Sequence, residues 1–227
     1  MKKNKRLIIH HHLGLGDHII CNGLVNEISK TTKIFLICKM KNYFTVRHLY
    51  KENKYVTVVP IIKFLAKTIY HEKRTSKFIS NLLKIKILYI GFQKPNNINW
   101  DKSFYKQTDV NFNKRYINFS VPPYFLGLKP PKEKFRLIHS ESSSKNFDLK
   151  LSKDELINIY VSKKRFRNFF SYINLIKTAE EIHCIDSSFI HLVDSYDLNK
   201  NNLYYHNVRK ADVKFTFNNS WKVINYT

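Results

Sequence analysis

The segment His10-His11-His12-Leu13-Gly14-Leu15-Gly16-Asp17-His18 gathers a carboxylate, imidazoles and two glycines into one short stretch. A carboxylate that reaches a substrate hydroxyl can take its proton as that oxygen attacks. Glycine at such a point permits positive φ and close approach of another molecule to the backbone, and a helix start offers unpaired N–H groups. Asp17 would then stand at the mouth of the turn, with Gly14, Gly16, His12 and His18 on the same side. A plainer reading stands beside it: a tight strand-to-helix connection with Asp17 as N-cap. The motif is neither the dinucleotide fingerprint, which needs a third glycine, nor a P-loop, which needs Gly-Lys-Ser or Gly-Lys-Thr. His10 and His12 would lie on one side of a strand and His11 on the other. Three ligands from one run suit tetrahedral zinc poorly, so one or two of these rings are expected to line a site and no metal is expected.

A second group is Asp186-Ser187-Ser188-Phe189-Ile190-His191, where hydroxyls precede an amphipathic run that contains a histidine. Hydroxyls and free N–H groups at a helix start suit phosphate; equally, Ser187 or Ser188 is an N-cap and His191 a core residue. Ser142, Ser143, Ser144 and Lys145 form a polar loop after an apolar run and are candidate phosphate contacts by topology. His206, Asn207 and Arg209 follow another such run, and Arg209 could pair with phosphate.

The elements that must position these groups follow from the pattern. Leu7–Ile9, Lys33–Cys38, Tyr55–Val59 and Ile85–Ile90 read as strands, the third ended by Pro60. Apolar residues at helical spacing after Asp17, over Tyr43–Tyr50, across much of Ile61–Leu83 and over Trp100–Thr108 read as helices. Prolines at 122, 123, 130 and 131 mark a linker. Beyond it Phe135–His139, Leu156–Val161 and Ile182–Ile185 read as strands and Phe169–Glu181 as a helix. Leu203–His206 and Val213–Phe217 complete a small second sheet, and the tail after Asn218 carries no signal. The alternation predicts an α/β protein with parallel sheets, whose ligand turns lie at the carboxyl ends of the strands. The expected domains are residues 1–129 and 130–227.

Gly-x-Gly-Asp in the first half and Asp-Ser-Ser-x-x-His in the second together resemble the GT-B glycosyltransferases of the heptosyltransferase type, glycosyltransferase family 9. The phrase Ile182–Phe189 and the segment Phe104–Thr108 also resemble sugar-transferase-like proteins of bacterial surface-polysaccharide gene clusters. The resemblance implies two Rossmann-like domains with an interdomain cleft, an acceptor domain first and a smaller nucleotide-sugar domain second. It implies metal-independent, inverting transfer to a cell-surface glycan or lipopolysaccharide-type acceptor. Asp17 matches the family's proposed general base, and Asp186, Ser187, Ser188 and His191 match its donor-binding motif. The nucleotide-sugar is substrate, and no cofactor is implied. Ser188 stands where the family pattern has glycine, and the proline-rich strand that usually follows the helix is missing.

Composition narrows the partners. The chain of 227 residues carries a formal net charge of +23. Residues 1–125 hold 23 Lys and Arg against 6 Asp and Glu. Such a surface favours an anionic glycan or lipid-linked acceptor and peripheral contact with a membrane. Much of the lysine belongs to a whole-chain bias toward Lys, Asn, Ile and Tyr. No recognition-helix, RNP or zinc-finger pattern supports nucleic acid as a partner. A basic nucleic-acid-binding protein and a catalytically silent transferase-like scaffold are the competing readings. Cys21, Cys38 and Cys184 have no metal or disulfide spacing and read as reduced residues of a cytoplasmic protein. No convincing signal peptide or membrane span is legible.

Overall fold

A computed structural model describes residues 5–61, 69–92, 99–142, 145–152, 155–162, 168–198, 202–209 and 215–226. The chain divides into two compact units, Met1–Pro122 and Pro123–Thr227.

The first unit holds strands β1 (Arg6–His10), β2 (Lys33–Lys39), β3 (Val56–Ile61) and β4 (Lys86–Tyr89), in the order β3-β2-β1-β4. All neighbours are parallel. A parallel sheet is covered on both faces, which is why its inner strands are near-continuous apolar runs. Ile8, Ile9, Ile34, Leu36 and Ile37 are fully buried. Pro60 does not end the third strand as expected; it pairs with Cys38 inside β3. β3 is an edge strand, where a missing N–H leaves no ladder bond broken.

Helices α1 (Leu15–Ile20) and α2 (Asn22–Ser29) connect β1 to β2, and α3 (Tyr43–Leu49) connects β2 to β3. The longer α4 (Ile69–Leu83) leads to β4. Its Ile79 and Leu83 pack on a core of Ile8, Leu13, Ile37 and Ile61. Two short helices follow, α5 (Trp100–Lys106) and α6 (Lys114–Ile117).

The apolar spacing after Asp17 does form helix, but in two pieces. The Tyr105 hydroxyl of α5 donates to the Ile20 carbonyl at 2.8 Å and accepts from the Leu24 N–H at 3.2 Å. These groups would otherwise bond to each other in the i to i−4 ladder, so an inserted side chain parts α1 from α2. Asp101 of α5 and Arg115 of α6 form a fully buried ion pair. A Cβ on Gly23 would lie 2.0 Å from the Lys114 carbonyl oxygen, so glycine is what lets α2 and α6 approach.

The second unit holds β5 (Phe135–His139), β6 (Ile157–Tyr160), β7 (Glu181–Ile185), β8 (Asn202–Asn207) and β9 (Trp221–Asn225). Their order is β6-β5-β7-β8-β9, again all parallel. This sheet is the wider of the two, where a small one was expected. Phe215–Phe217 is not strand, and Val213 and Lys214 lie outside the described residues. The last strand comes instead from the tail after Asn218. β9 was hard to read because it is a half-exposed edge strand without a continuous apolar run. The expected helix over Phe169–Glu181 is a 3-10 turn, Phe169–Tyr172, running into α7 (Ile173–Thr178), with Glu181 already in β7. Asn168 starts the turn by accepting from the Phe170 N–H at 3.0 Å. Helix α8 (Ser188–Asp194) leads from β7 toward β8. Among the described residues no helix is long and apolar enough to cross a membrane.

The Gly23 contact makes a first prediction. Gly23→Ala forces α2 from α6 and destabilises the first unit by about 2–3 kcal/mol, the scale of overpacking in a tight interior. The measurement is the urea midpoint against Gly127→Ala, whose Cβ would meet its nearest neighbour at 3.2 Å.

Candidate functional site

β1 ends at His10 and α1 begins at Leu15, so the Gly14–Asp17 turn lies at a strand carboxyl end. Gly14 is the N-cap of α1, and Asp17 is the third residue of that helix, not its cap. The carboxylate folds back so that Oδ2 accepts from the Gly14 N–H at 3.1 Å. Gly14 has φ −69°, so the positive φ expected there is absent. Its lack of a side chain matters for another reason: a Cβ would lie 2.6 Å from Asp17 Oδ2. The other carboxylate oxygen, Oδ1, faces Trp100 Nε1–H at 3.5 Å. Burial pushes the Asp17 carboxyl above its ordinary value, against the opposing pull of His12, the Trp100 and Gly14 N–H groups and Lys39. A carboxylate poised in this way suits proton abstraction better than a fully solvated one.

The histidines separate, because only His10 belongs to the strand and the alternation argument stops there. His10 turns toward α4, with Nδ1 2.9 Å from the Ser76 hydroxyl. The ring of His11 packs edge-on against that of His18 at 4.3 Å between centroids, and both are fully buried. His18 therefore lies inside the unit and not on the surface of the turn. Among the described residues His12 is the imidazole that acts on Asp17, its ring 4.9 Å from that of Trp100 and 5.1 Å from that of Phe92. Gly91, at φ +85°, makes room for it: a Cβ there would lie 2.8 Å from the ring of His12 and 2.7 Å from that of Phe104. Gly16 lies in the first turn of α1. Among the described residues no three His, Cys, Asp or Glu side chains converge as a metal site would require.

In the second unit Ser187 is the N-cap of α8, its Oγ accepting from the Phe189 N–H at 3.2 Å and lying 3.1 Å from His139 Nδ1. Ser188 is the first helical residue. Arg209 donates to the Asp186 carbonyl at 2.8 Å and stands 3.6 Å from its carboxylate. Burial pushes the Asp186 carboxyl up and Arg209 opposes it. His191 is buried with its ring 4.5 Å from that of Phe215. The Ser142 hydroxyl donates to the Lys145 carbonyl at 2.9 Å and accepts from the Lys145 N–H at 3.0 Å. Ser143 and Ser144 lie outside the described residues. His206 is buried in β8, so it faces the interior and not a ligand.

These two turns belong to a chain whose whole fold has known counterparts. No protein-family model and no curated protein matches the sequence. The structure matches a family 9 glycosyl transferase from Veillonella parvula with a TM-score of 0.58, at 9% identity, over 99% of this chain and 88% of that one. The fold is that of the family 9 glycosyltransferases. A second match is the bacterial iron-containing dodecameric glycosyltransferase TibC from enterotoxigenic E. coli, at TM-score 0.53 and 8% identity, over 95% of this chain and 64% of TibC. The E. coli heptosyltransferase WaaC with ADP matches at TM-score 0.51 and 9% identity, over 98% of this chain and 91% of WaaC. At such identity what is shared is the backbone plan, and residue roles must be argued from the side chains of this chain.

Within that family 9 fold, sequence reading missed Trp100, Gly91, Tyr105 and His139. Trp100, Phe104 and Tyr105 were legible as apolar residues of one helix, but nothing local ties α5 to Asp17. Sequence reading also missed a buried polar chain across the second sheet. Arg136 Nε donates to Glu181 Oε2 at 2.7 Å, and His183 Nε2 lies 3.2 Å from that same oxygen. His183 Nδ1 is 2.8 Å from His206 Nε2, and His206 Nδ1 is 2.7 Å from the Tyr226 hydroxyl. The carboxylate can only accept, so His183 donates through Nε2 and accepts through Nδ1. His206 then donates through Nε2 and accepts from Tyr226. Donation thus runs from Tyr226 through His206 and His183 to Glu181, where it meets the donor from Arg136.

Buried histidines set an acid limit on stability. Burial holds His10 down to about 3 and His11 to about 4, and burial with His183 nearby holds His206 to about 4. Unfolding frees each to titrate near the usual 6.5. The unfolded chain binds more protons between those limits, so stability is complete above pH 6.5 and lost as pH falls toward 4. Each histidine contributes a slope of up to about 1.4 kcal/mol per pH unit. Urea midpoints are expected to drop steadily from pH 7 to pH 5. The drop is expected to be shallower in His206→Gln, which cannot take up the proton.

Proposed function

We propose that this chain is a glycosyltransferase that moves a sugar from a nucleotide-sugar to a hydroxyl of an anionic cell-surface glycan or lipid-linked acceptor, with inversion at the anomeric carbon. The carrying observation is the Asp17 carboxylate. Burial raises its proton affinity, one N–H donor stands at each oxygen, and the turn that holds it ends a strand. In this reading Asp17 takes the proton of the acceptor hydroxyl. The oxygen forms a bond to the anomeric carbon, and the bond from that carbon to the diphosphate oxygen breaks, its electron pair leaving with the nucleoside diphosphate. Gly14, Gly16 and His12 form the acceptor side with Asp17.

The donor is assigned to the second unit, to Asp186, Ser187, Ser188 and His191, and to Ser142 and Lys145. Arg209 is the charge that faces the diphosphate. Negative charge grows on the leaving group, and a guanidinium can neutralise it without a metal ion. The family 9 fold supports this division of roles, as does the likeness to the heptosyltransferase WaaC, a structure with ADP. The low acid content of the first 125 residues supports an anionic acceptor and peripheral contact with the inner face of a membrane, with the enzyme in the cytoplasm.

Asp17→Asn is expected to lower transfer by 10²-fold or more, the usual contribution of a general base, while nucleotide-sugars still raise the melting temperature. Retained turnover would reject the assignment. Transfer is expected to fall on the acid side as Asp17 takes up its proton. The Trp100 N–H favours the carboxylate form, so Trp100→Phe is expected to move that acid limb to higher pH. A pH–rate profile of the two proteins measures the shift. A thermal-shift screen against nucleotide-sugars identifies the donor, because a bound ligand stabilises the fold by mass action.

A further inference from the structure

We infer that the outward face of α4 is a docking surface for an anionic lipid bilayer. At about 3.6 residues per turn, Lys77, Asn81, Arg74, Phe78 and Leu82 follow one another around an arc of about 140°, and all five are exposed. Phe78 is 62% and Leu82 69% exposed, one helical turn apart on one flank of that arc. Arg74 and Lys77 hold the other flank. The opposite side of the helix is used inside the unit, where Ser76 meets His10 and Ile79 and Leu83 pack on the core. The exposed apolar pair is thus surplus to the packing of the helix on its own sheet.

The cations on this face are available. Arg74 and Lys77, with Lys84 and Lys86 where α4 gives way to β4, are exposed and have no hydrogen-bond or ion-pair partner among the described residues. After Glu72 no acidic residue occurs until Asp101. Lys73 differs, its Nζ lying over the rings of Tyr89 and Phe92. Lys84 follows α4 with φ +50°, and the Ile85 N–H donates to the Ser80 carbonyl at 3.1 Å to close the turn. Glycine and asparagine adopt that conformation more readily, so the fold bears a cost for a lysine at this point.

A bilayer offers phosphates in a plane with hydrocarbon just beneath, and a helix with cations beside a short apolar stripe can lie in that plane. Two apolar side chains are too few for the core of a stable protein interface, which takes about 800 Å² from each partner. A duplex would use the cations and leave Phe78 and Leu82 in water. Such docking rests on the peripheral membrane contact proposed above and is independent of sugar transfer.

The test uses the full chain and sedimentation with extruded vesicles. Phosphatidylcholine vesicles with about 30% phosphatidylglycerol are expected to bind it at least tenfold more tightly than pure phosphatidylcholine, since each cation near the surface adds about fivefold. Salt at about 1 M, which screens charges beyond about 3 Å, is expected to weaken that binding at least tenfold. Phe78→Ser with Leu82→Ser, and separately Arg74→Ala with Lys77→Ala, are each expected to cost about tenfold or more. Lys41→Ala with Arg47→Ala removes as much exposed charge elsewhere in the unit and is expected to cost less than about threefold. Circular dichroism confirms that every variant is folded. Lys84→Asn is expected to weaken binding about fivefold while its urea midpoint stays level or rises, which separates docking from folding. Wild-type binding that persists in both α4 double variants leaves peripheral contact standing and overturns α4 as its surface. Wild-type protein that ignores anionic vesicles removes both. Duplex DNA that displaces the vesicles, and binds the Phe78/Leu82 variant as tightly as the wild type, also overturns the proposal. Asp17→Asn is expected to bind vesicles as the wild type does, so loss of transfer alone leaves this surface standing.

Discussion

The Tyr105 hydroxyl between Ile20 and Leu24 is the contact on which the first unit turns. A single unbroken helix after Gly14 could not aim its first turn and its last turn independently. By taking over one rung of the ladder, Tyr105 separates α1, which carries Asp17, from α2, which must press against α6 through Gly23. The same helix α5 reaches the other end of α1 through Trp100 Nε1–H. It is in turn fixed to α6 by the Asp101–Arg115 pair. The contacts thus form a ring, from α5 to both ends of α1, from α1 to α2, from α2 to α6 and back to α5. Breaking a buried pair of this kind by removing one partner costs about 3–5 kcal/mol, because a charge is left without water or counter-charge. The position of Asp17 is therefore set by groups far along the chain.

That long range explains what could be read directly. Strands of a parallel sheet announce themselves by apolar runs, so β1, β2, β5 and β7 were legible to within a residue or two. Gly14 and Asp17 were legible as a turn, but for the wrong conformational reason: the glycine has an ordinary φ and leaves room for the carboxylate of its own helix. The histidine run could not be sorted from sequence, because His10, His11 and His12 diverge only after the strand has ended. Trp100 and Tyr105 carried the pattern of core aromatics, and their N–H and O–H roles exist only once α5 is folded against α1. β9 was invisible because an edge strand needs no continuous apolar run.

The second sheet reaches stability by a different route. Arg136, His183 and His206 occupy strands that would ordinarily be aliphatic, and each is buried. Such groups are tolerable only when every polar atom is served, since an unmet buried donor costs about 1–3 kcal/mol. The chain meets that demand from two ends, Arg136 on one side and Tyr226, His206 and His183 on the other, both ending on the Glu181 carboxylate. It extends to the segment after β5 through Lys150, whose N–H donates to the Tyr226 hydroxyl at 2.7 Å. The sheet's polar interior thereby fastens the segment that follows Ser142 and Lys145.

The two candidate turns differ in how much of their polar capacity the fold already uses. Each oxygen of the Asp17 carboxylate has one donor beside it, and an oxygen of a carboxylate can accept more than one. At the second turn the Ser187 hydroxyl is occupied by the Phe189 N–H and lies against His139, and Arg209 is engaged with Asp186. An anion there would share Arg209 with Asp186, since a guanidinium carries five N–H donors. Burial already favours the protonated form of that carboxyl, and Arg209 is what opposes it. Drawing the guanidinium toward an anion would therefore raise the proton affinity of Asp186 further.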